Sequence, residues 1–361
     1  MTVLAGRFSE TFTRVRERLA GRGDAVTGIA LWLPIAVLIV WSAVGPTQLF
    51  VVGVIVGSIF ALGALGLTLI YGVLKFGNFA HGDMMMMGAY VAFFFLTGQV
   101  ARTAREDAHL PWALDSLPHA TDGIGDLTFG YGLIIAALLA AAVMALLSIA
   151  LDRLIYRRLR RRRSGIVIFA IASLGVAIAA RSLMYITWGP DPRVYVSGIH
   201  RAHTYAFGIV LKTDQIFIFA VAVALAALTY LLLFHTKLGK AMRAIADNPD
   251  LARVSGIDTE QIILWTWAIG GALVAVAGVL LAVQSQINPQ LGFVLLLPLF
   301  ASTILGGIGN PLGALAGAMV VGIAQEVSIE LFAPAYKPGV AFVILILILL
   351  VRPRGLFGAK I

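Results

Sequence analysis

The chain has no cysteine. That excludes disulfides, thiolate nucleophiles and cysteine-ligated metal centres. Charge is also scarce, at 12% of residues, where a water-soluble domain carries about 25%. No G-x-x-x-x-G-K-[ST] segment cradles a phosphate: Gly239-Lys240 is followed by Ala241 and lacks the upstream glycine. Gly307-x-Gly309 is followed by Gly313, one residue too far for G-x-G-x-x-G. HExxH and GxSxG are missing too. The six histidines (His81, His109, His119, His200, His203 and His235) are scattered. His200 and His203 read as a solvated loop pair. No catalytic constellation emerges, no metal site is expected, and no cofactor is expected on this chain.

What the chain has in abundance is apolar surface, with 60% hydrophobic residues and a mean hydropathy of +0.94. A membrane span needs about 20 predominantly apolar residues. Ten segments qualify once flanking residues are allowed: 26–44, 47–71, 84–99, 131–151, 166–187, 214–234, 261–283, 293–308, 314–333 and 338–351. The expected fold class is therefore all-α, a polytopic transmembrane helical bundle of about ten spans embedded in a lipid bilayer.

The net charge is +9. The basic residues sit in short blocks between apolar runs, which is the pattern of cytoplasmic loops rather than of a nucleic-acid surface. With a cytoplasmic N-terminus, the inner segments 1–25, 72–83, 152–165, 235–260, 309–313 and 352–361 hold 20 Lys and Arg. The outer segments hold 6, and Arg181 lies within a span. This bias predicts both termini inside. Residues 1–25 read as a basic amphipathic tail, with Leu4, Phe8, Phe12, Val15 and Leu19 at helical spacing. Residues 26–46 read as an extra N-terminal span, and 47–361 as the main membrane domain.

Two stretches interrupt the apolar pattern with Gly, Pro and polar residues, Tyr71 to Asp83 and Leu305 to Gly313. Irregular backbone at membrane depth survives only where protein or water satisfies it. Transporters use such broken helices to build sites near the midplane. On that reading Asn78, His81 and Asp83 are candidate site residues. The competing reading makes 72–83 an ordinary cytoplasmic loop, and Gly306, Gly307 and Gly309 mere packing contacts. Glu326 and Glu330 share one helix face, and the deeper Glu326 is expected to face a cavity or a partner group. Arg181, near the outer end of its span, is expected to snorkel to the surface.

The loop 235–260 stands apart. Leu238 to Ala246 reads as a short amphipathic helix. Asn248 is a plausible N-cap, with Pro249 at the first helical position and Asp250 in the first turn. Gly256 fits a C-terminal cap. Apolar residues left exposed on these two short helices suggest a docking partner, although a helix lying on the headgroups would look similar.

The stretch Ala61-Leu-Gly-Ala-Leu-Gly-Leu-Thr-Leu-Ile-Tyr-Gly-Val-Leu-Lys-Phe-Gly-Asn-Phe-Ala-His-Gly-Asp83, followed by Met87-Gly-Ala-Tyr90, closely resembles the LivH-type permeases of branched-chain amino-acid ABC importers. Leu238 to Ile257 resembles their coupling loop. Ile287-Asn-Pro289, Leu305-Gly-Gly-Ile-Gly309, Glu326, Tyr336-Lys337 and Arg352-Pro-Arg-Gly-Leu-Phe357 follow in family order. The resemblance implies a multi-pass protein of the bacterial inner membrane. It implies a pore shared with a second, LivM-like permease, two cytoplasmic ATPases that carry ATP and Mg, and an extracytoplasmic binding protein. It also implies that Asn78, Phe79, His81, Asp83, Asn288, Gly307, Gly309 and Glu326 line or neighbour the substrate pathway. ATPase coupling would then fall to Gly239, Arg243, Ala246, Asp247, Asn248, Pro249 and Gly256.

The chain departs from the family pattern at its N-terminal 46 residues, in a longer loop at about 100–130, and at the more apolar Leu295-Leu-Leu-Pro-Leu-Phe300, where the family often has a Lys. The last departure leaves urea, short amides or other amino acids as alternative substrates. Rival classes are an ion-coupled transporter using Asp83 or Glu326, a membrane enzyme using His81 and Asp83, and a non-transporting scaffold.

Overall fold

The computed structural model describes residues 32, 35–101, 107–109, 112–196, 202–205 and 208–357. The tail 1–25 and residues 26–31, 33 and 34 of the expected span 26–44 lie outside the described residues. The helices are α1 (Ile35–Val44), α2 (Thr47–Leu74), α3 (His81–Thr97), α4 (Tyr131–Leu151), α5 (Arg157–Arg161), α6 (Ile166–Trp188), α7 (Thr213–His235), α8 (Lys237–Asp247), α9 (Pro249–Val254), α10 (Thr259–Gln284), α11 (Leu291–Gly306), α12 (Pro311–Val327) and α13 (Lys337–Val351). A π-helical turn, Asp152–Tyr156, joins α4 to α5. Two short antiparallel strand pairs, Gln99–Ala101 with Asp107–His109 and His203–Thr204 with Val210–Leu211, lie in the connections between α3 and α4 and between α6 and α7.

Among the described residues, seven helical segments are long and apolar enough to cross a membrane. α3, with 17 residues, and α11, with 16, are shorter. They are short because each is the remaining part of a broken span. α2 and α10 are mostly buried within the bundle, while α6, α7 and α13 pack against it along narrow strips.

Lipid tails are as apolar as leucine, so helices in a bilayer associate through close van der Waals packing, for which small residues are needed. Gly53 and Gly57 of α2 meet the backbone of α12: a Cβ on Gly53 would lie 2.7 Å from Ile323 Cα, and one on Gly57 3.1 Å from Met319 Cα. On the other side, Gly271 of α10 meets Met144 and Ser148 of α4. Gly53 and Gly57 stand four residues apart, the spacing of small residues that lets two helix backbones approach closely.

The two contacts are related. α2, α3 and α4 correspond to α10, α11 and α12, running in the opposite sense. Asn288 lies 210 residues after Asn78, and Gly292 lies 210 residues after Gly82. Asn78 Oδ1 accepts from Ala80 N at 3.1 Å, and Asn288 Oδ1 accepts from Gln290 N at 3.0 Å. His81 N donates to Asn78 O at 3.2 Å, and Leu291 N to Asn288 O at 3.1 Å. Each asparagine thus folds the chain into the first turn of a shortened helix. The arrangement is an inverted repeat.

The repeat also shows where the chain breaks. His81 Nε2 lies 2.8 Å from Gly63 O. Gly63 is eleven residues before the end of α2, about 16 Å back along the helix. Residues 75–80 therefore return deep into the bundle before α3 begins, and Phe76, Asn78 and Ala80 are buried. The ordinary-loop reading of 72–83 is incorrect, and the broken-helix reading holds.

The second break is not at 305–313, as the glycines there suggested. That segment is the turn between α11 and α12. Gly307, at φ 106°, ends α11, and Asn310 caps α12 by accepting from Gly313 N at 3.1 Å. The C-terminal segment closes over the turn through Leu356 N to Leu305 O at 2.7 Å. The actual second break is 285–290, where Ile287 pairs with Arg193 as an isolated antiparallel bridge.

Candidate functional site

The N-termini of α3 and α11 meet inside the bundle. A Cβ on Gly82 would lie 3.2 Å from Leu296 N, and one on Gly292 would lie 2.6 Å from Asp83 Cα. Only glycines allow this approach. Asp83, in the first turn of α3, is almost fully buried. There it also gains from the positive end of the helix dipole.

Asp83 is not alone. Arg181 of α6 donates Nε to Oδ1 at 3.1 Å and Nη2 to Oδ2 at 3.0 Å. The same guanidinium lies 5.0 Å from the Phe293 ring centre on α11. Arg181 therefore does not snorkel outward, as its position in the span suggested. It turns inward because a buried carboxylate at the crossing offers a bidentate partner, which binds a planar guanidinium more strongly than a single contact would.

The neighbouring candidates have different surroundings. Asn78 is fully buried. Its Nδ2 reaches Met84 Sδ at 3.7 Å, and Tyr156 OH donates to its Oδ1 at 3.4 Å. Beneath it Phe76, Tyr156, Phe169 and Trp267 stack, with Tyr156 and Trp267 ring centres 4.9 Å apart. His81 is likewise enclosed, held by Gly63 O, and its Nδ1 has no partner among the described residues. Phe79 differs, being 37% exposed. Its backbone N–H donates to Ser173 Oγ at 3.0 Å, and its ring stacks on Phe300 at 5.3 Å. Asn288 is half-buried and caps α11.

Glu326 belongs to another place. α12 ends at Val327, so Glu326 sits in its last turn rather than deep in a span. Lys337 Nζ donates to both of its carboxylate oxygens at 2.7 Å. The pair ties the end of α12 to the start of α13, beside Gly53. Gly53 is ten residues from Gly63 on α2, so about 15 Å separates this ion pair from the His81 contact. Gly307 and Gly309 lie at the α11–α12 turn. The structure therefore joins Asp83 with Arg181 and Phe293, and Phe79 with Ser173 and Phe300 about 12 Å along α6; His81 faces α2, and Glu326, Gly307 and Gly309 lie apart.

The long loop forms as its sequence predicts. Thr236 caps α8, accepting from Gly239 N at 3.0 Å. Asn248 Oδ1 accepts from Asp250 N at 3.1 Å and Leu251 N at 3.0 Å, with Pro249 opening α9. Gly256, at φ 84°, ends it. Met242 and Ile245 are buried against the bundle, and Gly239 packs against the Leu232–Leu233 backbone. The Arg243 guanidinium covers Phe234 at 4.8 Å. Ala246 is half-buried, while Asp247, Asn248 and Pro249 are exposed. Leu251 and Val254 are 64% and 87% exposed, leaving an apolar patch with no partner among the described residues.

Nearby, Arg157 Nε reaches Glu260 at 2.8 Å, and Arg160 reaches Asp152 at 2.5 Å. The first pair, with Arg160 Nη2 also 3.5 Å from Glu260, fastens the basic segment after α4 to the start of α10, while the second braces that segment internally. Sequence reasoning passed over Arg160 and Asp152. Their eight-residue separation spans the π-helical turn, which no periodicity announces.

Residues 49–349 match the family model described as branched-chain amino acid transport system / permease component. The high-affinity branched-chain amino acid transport system permease protein LivH of Escherichia coli K12 is 33% identical over 312 residues, covering 85% of this chain and 93% of its own length. The permease protein BraD of Pseudomonas aeruginosa is 32% identical over 318 residues, covering 86% and 95%. The probable LivH of Methanocaldococcus jannaschii is 29% identical over 319 residues, covering 84% and 90%. With most of its length matched by the model, this multi-pass membrane chain belongs to the branched-chain amino acid transport system permease family.

Proposed function

We propose that this chain is the membrane subunit of an ABC importer that moves branched-chain or closely related amino acids into the cytoplasm without altering them. The observation that carries the reading is family membership along nearly the whole membrane domain. The exposed patch of Leu251 and Val254 on a capped two-helix element supports the rest, because such a surface fits an ATPase that pushes on the bundle.

In this mechanism the chain pairs with a second, related permease. Two partner ATPases bind ATP and Mg on the cytoplasmic side, and a binding protein delivers the substrate from outside. Nucleotide-driven movement of α8 and α9 passes to α7 and α10, against which they pack. The crossing of α3 and α11, where two helix ends meet without covalent continuity, is the place where the bundle opens to the substrate. Both termini and the element 235–260 lie in the cytoplasm.

The test is reconstitution. The chain, its partner permease, the ATPases and the binding protein are placed in liposomes, and uptake of labelled L-leucine is followed. Uptake that requires ATP, the binding protein and every subunit supports the reading. Gradient-driven uptake by the chain alone refutes it.

A further inference from the structure

We propose that Arg181, held edge-on by Asp83 and covered by Phe293, is the group in the translocation pathway that receives the carboxylate of the transported amino acid. The proposal rests on the permease reading above and adds the residue and the ligand chemistry.

The first observation is where the guanidinium lies. Trp188 ends α6 seven residues beyond Arg181, so Arg181 sits about 10 Å in from that end. Its side chain is nevertheless 23% exposed. An exposed cation at this depth faces acyl chains, water or another polar group, and acyl chains are strongly disfavoured. Turning outward to the headgroups would relieve it. Instead Nε and Nη2 both point inward to Asp83. Nη1 hydrogen-bonds to nothing among the described residues, so the exposed edge of the fork still has a donor to offer.

The second observation is the sign of the charge. Asp83 offsets the charge of Arg181. The N-termini of α3 and α11 meet at the same point, and each contributes roughly half a positive charge. Asp83 is the acidic residue in the first turn of α3, whereas α11 has none in its first turn. The site is left net positive. It suits an anion presented singly, and a planar carboxylate matches a guanidinium edge in geometry as well as charge.

The third observation is the surface beside it. Phe293, whose ring centre lies 5.0 Å from the guanidinium, is 59% exposed. Phe79, stacked on Phe300, adds a second apolar surface against α6 at Ser173, about 12 Å along that helix from Arg181. An amino acid with an aliphatic side chain carries a carboxylate next to an apolar body, which is the complement of a guanidinium beside a phenyl ring.

The absence of native cysteine in this chain permits a direct test in the reconstituted complex. Arg181→Cys is expected to reduce ATP-driven L-leucine uptake at least tenfold. The same complex should still assemble and still show ATPase stimulation by leucine-loaded binding protein. Treatment with 2-aminoethyl methanethiosulfonate puts a cation back at this position and should restore part of the uptake. The sulfonatoethyl reagent puts an anion there and should not. L-leucine should slow both reactions.

Because Arg181→Cys leaves a buried carboxylate unpaired, the double variant Asp83→Asn with Arg181→Gln serves as the charge-balanced check on folding. It too should lose transport while keeping assembly. Wild-type uptake by the double variant overturns the proposal. So does an introduced thiol that the aqueous reagents never modify in an assembled Arg181→Cys complex, or equal rescue by both reagents. A wild-type complex that imports no leucine would instead overturn the permease reading itself, and the two failures are therefore distinguishable.

Discussion

The contact between Gly292 and Asp83 makes one substitution decisive. In Gly292→Ala the new Cβ would lie 2.6 Å from Asp83 Cα and 2.8 Å from Asp83 N, whereas ordinary contact begins at 3.4 Å. The start of α3 must therefore retreat by about 0.8 Å. The obstructing atoms are backbone, so no rotamer change relieves them. Overpacking of this kind costs about 1–3 kcal/mol. The gain from replacing glycine with alanine in a helix is at most about 1 kcal/mol, so destabilisation wins. A further effect follows. The Asp83–Arg181 bonds are 3.0 and 3.1 Å long, so lengthening them by about 0.5 Å of that displacement takes them past the useful range of about 3.5 Å. The assay pairs the melting midpoint of the purified complex with ATP-driven leucine uptake. Gly175→Ala on α6, where a Cβ meets nothing within 4 Å, is the control and should melt at or slightly above the unaltered complex. Gly292→Ala should melt below that control and transport more slowly. A Gly292→Ala complex that melts with the control and transports normally would refute the idea that the two half-helices cross in contact.

Other substitutions probe the remaining parts. Asn248→Ala removes the cap of α9 at a cost of about 1 kcal/mol. It should lower leucine-stimulated ATPase activity while leaving the melting midpoint of the membrane domain unchanged. Leu251→Asp combined with Val254→Asp places charge on the exposed patch, so the ATPases should no longer co-purify with a permease that folds normally. Glu326→Gln breaks an ion pair whose two side chains are 9% and 30% exposed, intermediate between surface and core. The cost should be about 1–3 kcal/mol, read as a lower midpoint with the KM for leucine unchanged. A raised KM at unchanged stability would instead place Glu326 on the substrate.

The parts of the fold that were legible in the sequence are those governed by local chemistry. Continuous apolar runs located the spans, and the Asn248-Pro249-Asp250 series located α9, because capping needs only neighbours in sequence. The first break could be narrowed to Tyr71–Asp83 because polar residues interrupt an apolar run there. The second was misplaced. Its residues, Gln286 to Gln290, resemble an ordinary outer loop, while the glycines at 306–309 looked more irregular and proved to serve a turn. Arg181 was misjudged for a similar reason. Its depth in a span is a sequence property, but its partner lies 98 residues away on another helix. The expectation that Glu326 faces a cavity or a partner group is met by Lys337, which the apolar runs place only between two spans and so do not identify as that partner. What local patterning cannot supply is which helices touch, and both ion pairs depend on that.

The inverted repeat could have been found by aligning the two breaks, and it explains which residues differ between them. The paired positions that build the crossing are the same in both halves: Asn78 with Asn288, and Gly82 with Gly292. One pair folds the chain and the other permits the approach, and neither task allows much choice. The paired positions that carry chemistry have diverged: His81 stands opposite Leu291, and Asp83 opposite Phe293. Asp83 and Phe293 nevertheless converge on one group, since Asp83 binds the edge of Arg181 and Phe293 covers its face. Two aspartates there would have left the centre near neutral and made it a poorer receiver of carboxylates. Two phenylalanines would have left the guanidinium without the carboxylate that holds it inward. One of each keeps the cation in place and leaves the crossing positive, so the loss of symmetry at this pair is what allows a symmetric scaffold to favour one kind of ligand.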